Sequence, residues 1–435
     1  MTNIREIGFW LSDALLKGGR SKKEINRQKE ILTNDNPEEI YLAQVSMLQS
    51  ILKLAVSEIP FYKNCDWKNL SSFPIINKGI VKDNYERFLN TKYEKATLKV
   101  HRTSGSTGSP FVLKYSPQKN TANHVSLILH NREQGYSLGD KIYYFRAWSK
   151  SNQYSPLKRF ITGLRMQDAT ASDKNVDSFI SRLKGKDNVL LVYVSALVSY
   201  AKNIVQRGKT DKVKGKVKAI ITGSEVLTDR DRAFLYSVFE CPVMSRYSNE
   251  ENGIIAQQVS MQSPSFRVNT PCVWVEILKM DSDEPAAPGE VGRIVVTDFQ
   301  NDAMPLIRYD TGDLSSYDEG GKYKDSVVTI NNIDGRAIDL LCSTSGEQIS
   351  GFHVSKLIAT YVDSISTYQL TQKSSHDLDL KYVPNTSSPL DTKKLLNDLQ
   401  HLFGEGVSIN LIEVEDIPLL RSGKRRYIIN EINKA

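Results

Sequence analysis

The chain has 435 residues, of which 40% are hydrophobic and 25% charged, the make-up of an ordinary globular protein with length for two or three domains. Its 57 lysines and arginines against 50 acidic residues leave a charge of +7, densest from Lys17 to Lys29 and from Lys209 to Lys218. Neither cluster is interleaved with aromatic residues, so nucleic-acid binding is not expected. Cys65, Cys241, Cys272 and Cys342 are scattered without a Cys-x-x-Cys pair, so the spacing writes neither a disulfide framework nor a zinc site, and a reducing cytoplasm is the expected compartment.

In chain order, Ile4, Ile7, Leu11, Ala14 and Leu15 recur at helical spacing, but Arg5, Glu6, Asp13 and Lys17 interrupt them, which argues against a secretory signal or a membrane span. An amphipathic helix packed on the core is the expectation, with contact to an anionic membrane surface as the alternative. No later apolar run reads as long enough to span, so stable membrane insertion is not expected. A long helix is predicted from Glu38 to Ser57, ending before Pro60. Strands at Lys141 to Phe145, Asn188 to Val194, Val217 to Thr222 and Val291 to Thr297 then alternate with helices at Asp173 to Lys184 and Ser195 to Gln206, the pattern of α/β layers. Pro285, Pro288 and Gly289 read as a turn.

A boundary is expected near Gly335, dividing the chain into 1–334 and 335–435. Beyond it a short α+β pattern runs through a helix at Phe352 to Thr360, strands at Thr367 to Thr371 and Leu378 to Tyr382, a helix at Leu390 to Phe403 and a strand at Val407 to Val414. Asp363-Ser364 reads as an ordinary turn.

The stretch Thr103-Ser104-Gly105-Ser106-Thr107-Gly108-Ser109-Pro110 alternates hydroxyl residues and glycines. Small residues let the backbone approach a ligand, and its N–H groups and hydroxyls can cradle phosphate oxygens. It is not a Walker loop. Alone it fits a Ser/Gly surface turn equally well.

Further segments follow in order: Thr222-Gly223-Ser224-Glu225 at a strand end, Tyr247-Ser248-Asn249-Glu250-Glu251-Asn252-Gly253, Met304 to Leu314 containing Thr311-Gly312-Asp313, then Gly335-Arg336 and Ser422-Gly423-Lys424. Together they resemble the adenylate-forming superfamily of acyl-CoA synthetases over roughly residues 60 to 430, in its phenylacetate-CoA ligase branch. Ser248 after Tyr247, where broader members have Gly, and the preceding Val192-Tyr193-Val194-Ser195 make it most similar to members found with capsule and surface-polysaccharide synthesis.

The resemblance implies a large layered α/β adenylation domain at 1–334 and a small mobile α+β domain at 335–435 that closes over it. It implies an enzyme that takes ATP and Mg²⁺, with CoA as a possible further cofactor, and joins a small carboxylic acid to CoA, a carrier protein or a sugar acceptor. Ser104, Gly105, Ser106, Thr107 and Gly108 would hold the triphosphate, with Thr107 also catalytic. Gly223, Ser224 and Glu225 would lie beside the adenine, and Tyr247 would cover adenine or ribose. Asp313 would accept from the ribose hydroxyls, and Glu251 would carry Mg²⁺, with Glu250 the solvent-facing neighbour. Arg336 would orient the hinge or reach phosphate, and Lys424 would meet charge building between carboxylate and α-phosphate. The family often has an acidic residue or lysine two places after the hinge arginine, where this chain has Ile338. Tyr143, Tyr144, Phe145, Trp148 and Arg146 are candidates for the acyl pocket, or a strand of core aromatics. Three functions stay open: a thioester-forming synthetase, a ligase of an amine or hydroxyl on a surface sugar, and a non-catalytic nucleotide-binding protein.

Overall fold

A computed structural model describes residues 4–93, 98–103, 111–146, 162–333, 335–336, 340–349, 351–361, 363–385, 388–418 and 426–432. Three helices open the chain, α1 (Ile4–Lys17), α2 (Arg20–Leu32) and α3 (Pro37–Glu58), followed by the short α4 (Lys78–Asp83) and by α5 (Pro117–Arg132). α1 corrects the expectation that its Ile4, Ile7, Leu11 and Leu15 stripe packs on the core. Those side chains are exposed, Leu15 to 81%. Phe9 and Trp10 turn inward instead, and the buried Asp13 carboxylate accepts from the backbone N–H groups of Ser21 and Lys22 at 3.0 and 3.1 Å. Asp13 thereby supplies the cap that Gly19 cannot.

α3 begins where Asn36 accepts from the Glu38 N–H and Pro37 takes the first helical position, where its missing N–H costs nothing. It also corrects the expectation that no later run could span a bilayer, because it is long and apolar enough to do so by length and composition. In the fold, Leu48, Ile51, Leu52 and Ala55 at helical spacing pack against Phe111, Trp274, Met304 and Leu306.

The longer described strands of the larger part are β1 (Lys99–Thr103), β2 (Phe111–Tyr115), β3 (Lys141–Arg146), β4 (Leu164–Asp168), β5 (Asn188–Val192), β6 (Val217–Gly223), β7 (Val243–Asn249), β8 (Gly253–Gln258), β9 (Phe266–Val268), β10 (Val273–Leu278), β11 (Gly292–Asp298) and β12 (Tyr309–Ser315). β1 and β2 form a ribbon. The main sheet runs Thr329–Ile330, β9, β8, β7, β6, β5, β3, β4, parallel from β4 to β7 and antiparallel beyond. Helices Asp173–Arg182, Val194–Gln206 and Asp229–Phe239 cover one face, and α2 and α5 the other. A second, antiparallel sheet runs β10, β11, β12, Gly335–Arg336.

Residues 341–428 build a core of their own, in which Val354, Ile358, Leu370, Leu380, Leu395 and Phe403 meet. Its sheet runs Ser408–Glu413, Asp377–Pro384, Ile365–Ser374, Ile428–Asn430, with helices Gly351–Ala359 and Thr392–Phe403. Every strand and helix expected from the sequence is present, with ends moved by local chemistry. Val194 opens its helix rather than closing β5, and Thr392 rather than Leu390 opens the last helix because Asp391 caps it through the Lys394 N–H at 3.0 Å.

The inner face of α5 carries His130, whose Nδ1–H donates to the Ser126 carbonyl at 2.9 Å. Burial, then the Arg246 charge and more weakly that of Arg267, push this imidazole down to about 3. The unfolded chain therefore takes up a proton that the folded chain refuses between the ordinary histidine value and about 3, so this contribution to stability is lost as pH falls through that window. His130→Gln is expected to flatten the pH dependence of urea-unfolding stability by up to about 1.4 kcal/mol per pH unit below about pH 6. An unchanged slope would contradict the assignment.

Candidate active site

β3 pairs with β4 on one side and with β5 on the other, so the strand order reverses there, and a crevice is expected outside the carboxyl ends. A cleft of about 2560 Å³ opens at that place. It is lined by the ends of β3, β5, β6 and β7, by Asn120, Asn123 and His124 of α5 and by Tyr309 to Asp313, and it reaches Tyr368 of the C-terminal sheet and Tyr427 just before that sheet's last strand.

Thr311-Gly312-Asp313 leaves the regular ladder. Between β11 and β12 the register shifts, and Gly312 takes φ +74°, a left-handed conformation that glycine adopts without Cβ strain. The bulge brings Asp313 to Tyr247, whose hydroxyl donates to Asp313 Oδ2 at 2.8 Å and lies 3.0 Å from Thr311 Oγ1. Two expected site residues from distant motifs thus share one hydrogen bond. Arg336 stands across the ladder from Asp313, so the expected hinge strand starts beside it. Arg308 turns away from this cluster and forks onto Glu276 at 3.0 and 3.2 Å.

At the end of β6, Gly223 lines the cleft and Ser224 holds φ +66°, a strained value for a residue with a Cβ. Glu225, expected beside the adenine, lines the cleft but uses both oxygens on the start of the helix Val194–Gln206: it accepts from the Ser195 N–H at 2.7 Å and the Ser195 hydroxyl at 2.8 Å. Its evident work is to anchor that helix N-terminus to the β6 loop.

Glu251 sits in the turn between β7 and β8. Asn249 Oδ1 accepts from the Asn252 N–H at 2.7 Å, and the fully buried Lys119 donates to the Asn252 carbonyl at 2.6 Å while pairing with Asp298, also at 2.6 Å. Tyr115 donates to the Glu250 carbonyl, and Gly253 lies so near Asn123 that a Cβ there would stand 2.6 Å from its Oδ1. The turn is therefore clamped to α5 and to the β1–β2 ribbon. Glu251 is only 9% exposed, and burial pushes its carboxyl up, opposed by Lys78, while the Glu250 and Asp313 charges add to the rise. Glu250 points outward to His101 at 3.5 Å, which holds its carboxyl below the ordinary range. The two adjacent glutamates thus sit in opposite environments.

Among the described residues no three His, Cys, Asp or Glu side chains cluster as a metal cage. Mg²⁺ does not require one, since it keeps waters and is held by one or two carboxylates plus phosphate oxygens. The buried, proton-favouring Glu251 fits such a site, because a cation would offset its desolvation.

Ser104, Gly105, Ser106, Thr107, Gly108, Trp148 and Lys424 lie outside the described residues, as does the Arg336 side chain. The flanking strands are described: Thr103 of β1 pairs with Phe111 of β2. Of the acyl-pocket candidates, Tyr143 and Phe145 are core residues packed on Phe179, whereas Tyr144 and Arg146 line the cleft. Lys78 and Arg246, both lining residues, were not expected. Lys78 follows the helix-capping Asn77 and belongs to no motif. Arg246 could have been noticed as a charge inside the otherwise uncharged run Val243 to Tyr247.

The family model described as the CapK C-terminal domain matches residues 341–431. Protein CapK of Staphylococcus aureus is 23% identical over 380 residues, covering 84% of this chain and 81% of that protein. Phenylacetate-coenzyme A ligase of Pseudomonas putida is 24% identical over 322 residues, covering 68% of this chain and 71% of that protein. Among solved structures, 2-hydroxyisobutyryl-CoA ligase in the postadenylation state with 2-HIB-AMP superposes with a TM-score of 0.72 at 15% identity, covering 92% of this chain and 91% of that one. By sequence and by fold, the chain is a homologue of CapK and of the phenylacetate-coenzyme A ligases among the adenylate-forming ligases.

Proposed function

We propose that the chain activates a carboxylic acid with ATP and transfers the acyl group to a thiol, CoA or a carrier protein, in the cytoplasm. The observation that carries this reading is the meeting of Tyr247, Asp313 and Glu251 in one cleft at the strand-order reversal. Asp313, braced by Tyr247, accepts from the ribose hydroxyls. Gly223 and the strained Ser224 backbone lie along the adenine, with Glu225 holding their loop in place. Glu251 and Ser104 to Gly108 face the triphosphate, where Mg²⁺ supplies charge neutralisation. The acid's carboxylate oxygen attacks the α-phosphorus, the bond to the pyrophosphate oxygen breaks, and pyrophosphate leaves. Lys424 meets the negative charge that builds in that step. The thiolate sulfur then attacks the acyl carbon, and AMP departs with the bonding pair. The division into 1–334 and 335–435, with Arg336 at the hinge, is supported by the separate core of residues 341–428.

The likeness to CapK favours a second reading in which the acceptor is an amine or hydroxyl of a surface sugar. Pyrophosphate release across a panel of carboxylic acids tests activation, and AMP release with CoA against amino sugars separates the acceptors. ATP binding without pyrophosphate release from any acid would leave a non-catalytic nucleotide-binding protein.

A further inference from the structure

The outward face of α1 is apolar, and none of the described residues covers it. Ile4, Ile7, Leu11 and Leu15 fall within an arc of about 80° on the helix, and they are 77, 46, 57 and 81% exposed. Gly8 lies on the same face, and a Cβ added to it would meet nothing within 4 Å. The other large apolar side chains exposed among the described residues, six in number, are spread over different segments, so the concentration on α1 is a patch and not ordinary scatter. The helix cannot roll to hide this stripe without giving up its inner contacts. Arg5 donates to the Gly139 carbonyl at 2.8 Å, Phe9 and Trp10 pack on the cluster containing Ile25 and Val125, and Asp13 is buried on the start of α2.

Beside the stripe the charge is positive. Gly18 and Gly19, at φ +60° and +72°, turn the chain so that the first residues of α2 lie against Asp13 of α1. Arg20, Lys22, Lys23 and Lys29 of α2 are exposed, and among the described residues none of them has an ion-pair partner, whereas Arg27 pairs with Glu24. The acidic groups of the two helices are largely engaged. Asp13 is buried, Glu24 is on Arg27 and Glu6 faces Arg132 at 4.0 Å, which leaves Glu30 as their exposed carboxylate.

We propose that α1 lies flat on an anionic lipid bilayer, with Ile4, Ile7, Leu11 and Leu15 at the acyl boundary and Arg20, Lys22, Lys23 and Lys29 among the headgroups. With 14 residues α1 is about 21 Å long, too short for a hydrocarbon core of about 30 Å, so the contact is peripheral. A second copy of the chain fits the face less well. The stripe offers four large side chains where a stable interface takes roughly 20–30 residues a side. A second copy would also bring the same positive excess to the contact, whereas anionic headgroups oppose it. Bilayer contact does not depend on which acid, if any, the chain activates.

The test sediments the full chain with vesicles of phosphatidylcholine alone or mixed with phosphatidylglycerol, at low and high salt, beside light scattering of the chain without lipid. Binding is expected to the mixed vesicles and should weaken as salt rises. Lys22→Gln combined with Lys23→Gln should weaken that binding at least about tenfold. Leu11→Asn combined with Leu15→Asn should lower it to the level seen with phosphatidylcholine alone. Both variants should keep a nearly unchanged melting temperature, because all four side chains are exposed. No excess binding to the mixed vesicles would overturn the proposal, as would undiminished binding by the asparagine variant. Undiminished binding by the glutamine variant would remove the role of the α2 cations. A concentration-dependent dimer that disappears in the asparagine variant would assign the stripe to a second copy and overturn bilayer contact. If the asparagine variant does not fold, Ile4→Asp at the exposed end of the stripe should still weaken binding, and full binding by it would overturn the role of the stripe.

Discussion

Lys119→Ala is expected to lower folding stability by about 3–5 kcal/mol, the cost of leaving one partner of a buried ion pair uncompensated. The Lys119 side chain is 0% exposed and that of Asp298 1%, with Nζ and Oδ2 2.6 Å apart. The ammonium also donates to the Asn252 carbonyl at 2.6 Å and lies 5.8 Å from the Tyr115 ring centre. Burial already pushes the Asp298 carboxyl up against the pull of Lys119, so removing the lysine leaves only the Gln300 N–H, 2.9 Å from Oδ1, to hold the charge. Lys119→Met combined with Asp298→Asn should recover part of the loss, because the cost lies in the orphaned charge more than in the missing attraction. The clamp on the Glu251 turn goes with the lysine, so stabilisation by Mg·ATP should fall as well. Urea unfolding with and without Mg·ATP measures both, and a loss under about 1 kcal/mol would show that the pair does not hold this region together.

Glu251→Gln should slow carboxylate-dependent pyrophosphate release on the order of a hundredfold, by analogy with removing one preorganised charge-stabilising group. Glutamine keeps the shape of the side chain and removes the charge whose burial is unfavourable, so the melting temperature of the ligand-free protein should hold or rise. The Mg²⁺ dependence of ATP binding should weaken in the same variant, while Glu250→Gln, altering the outward carboxylate paired with His101, should leave it nearly unchanged. Calorimetric titration of ATP across a range of Mg²⁺ concentrations distinguishes the two glutamates. Equal effects from both variants would remove the metal role from Glu251.

The local elements were legible in the sequence because local periodicity and capping determine them. Short β-branched and apolar runs marked β3, β5 and β6 and helical spacing marked α3, whereas the Asp391 cap, which the sequence reading did not use, set the start of the last helix at Thr392. The ordered motifs likewise brought Tyr247, Glu251 and Asp313 into view before any fold. Tertiary structure decided which face of each element carries chemistry. In β3 alternation separates Tyr143 and Phe145 from Tyr144 and Arg146, but only packing against Phe179 makes the first pair core. In α1 the same kind of stripe is left outside, because Phe9, Trp10 and Asp13 meet the rest of the protein instead. Glu225 stands in a ligand motif and spends its oxygens on a helix start, while Lys119, in the first turn of α5 and in no motif, is buried on Asp298. Such roles depend on partners supplied by strands and turns far along the chain, and no periodicity in the sequence encodes which distant groups the fold will bring within hydrogen-bonding distance.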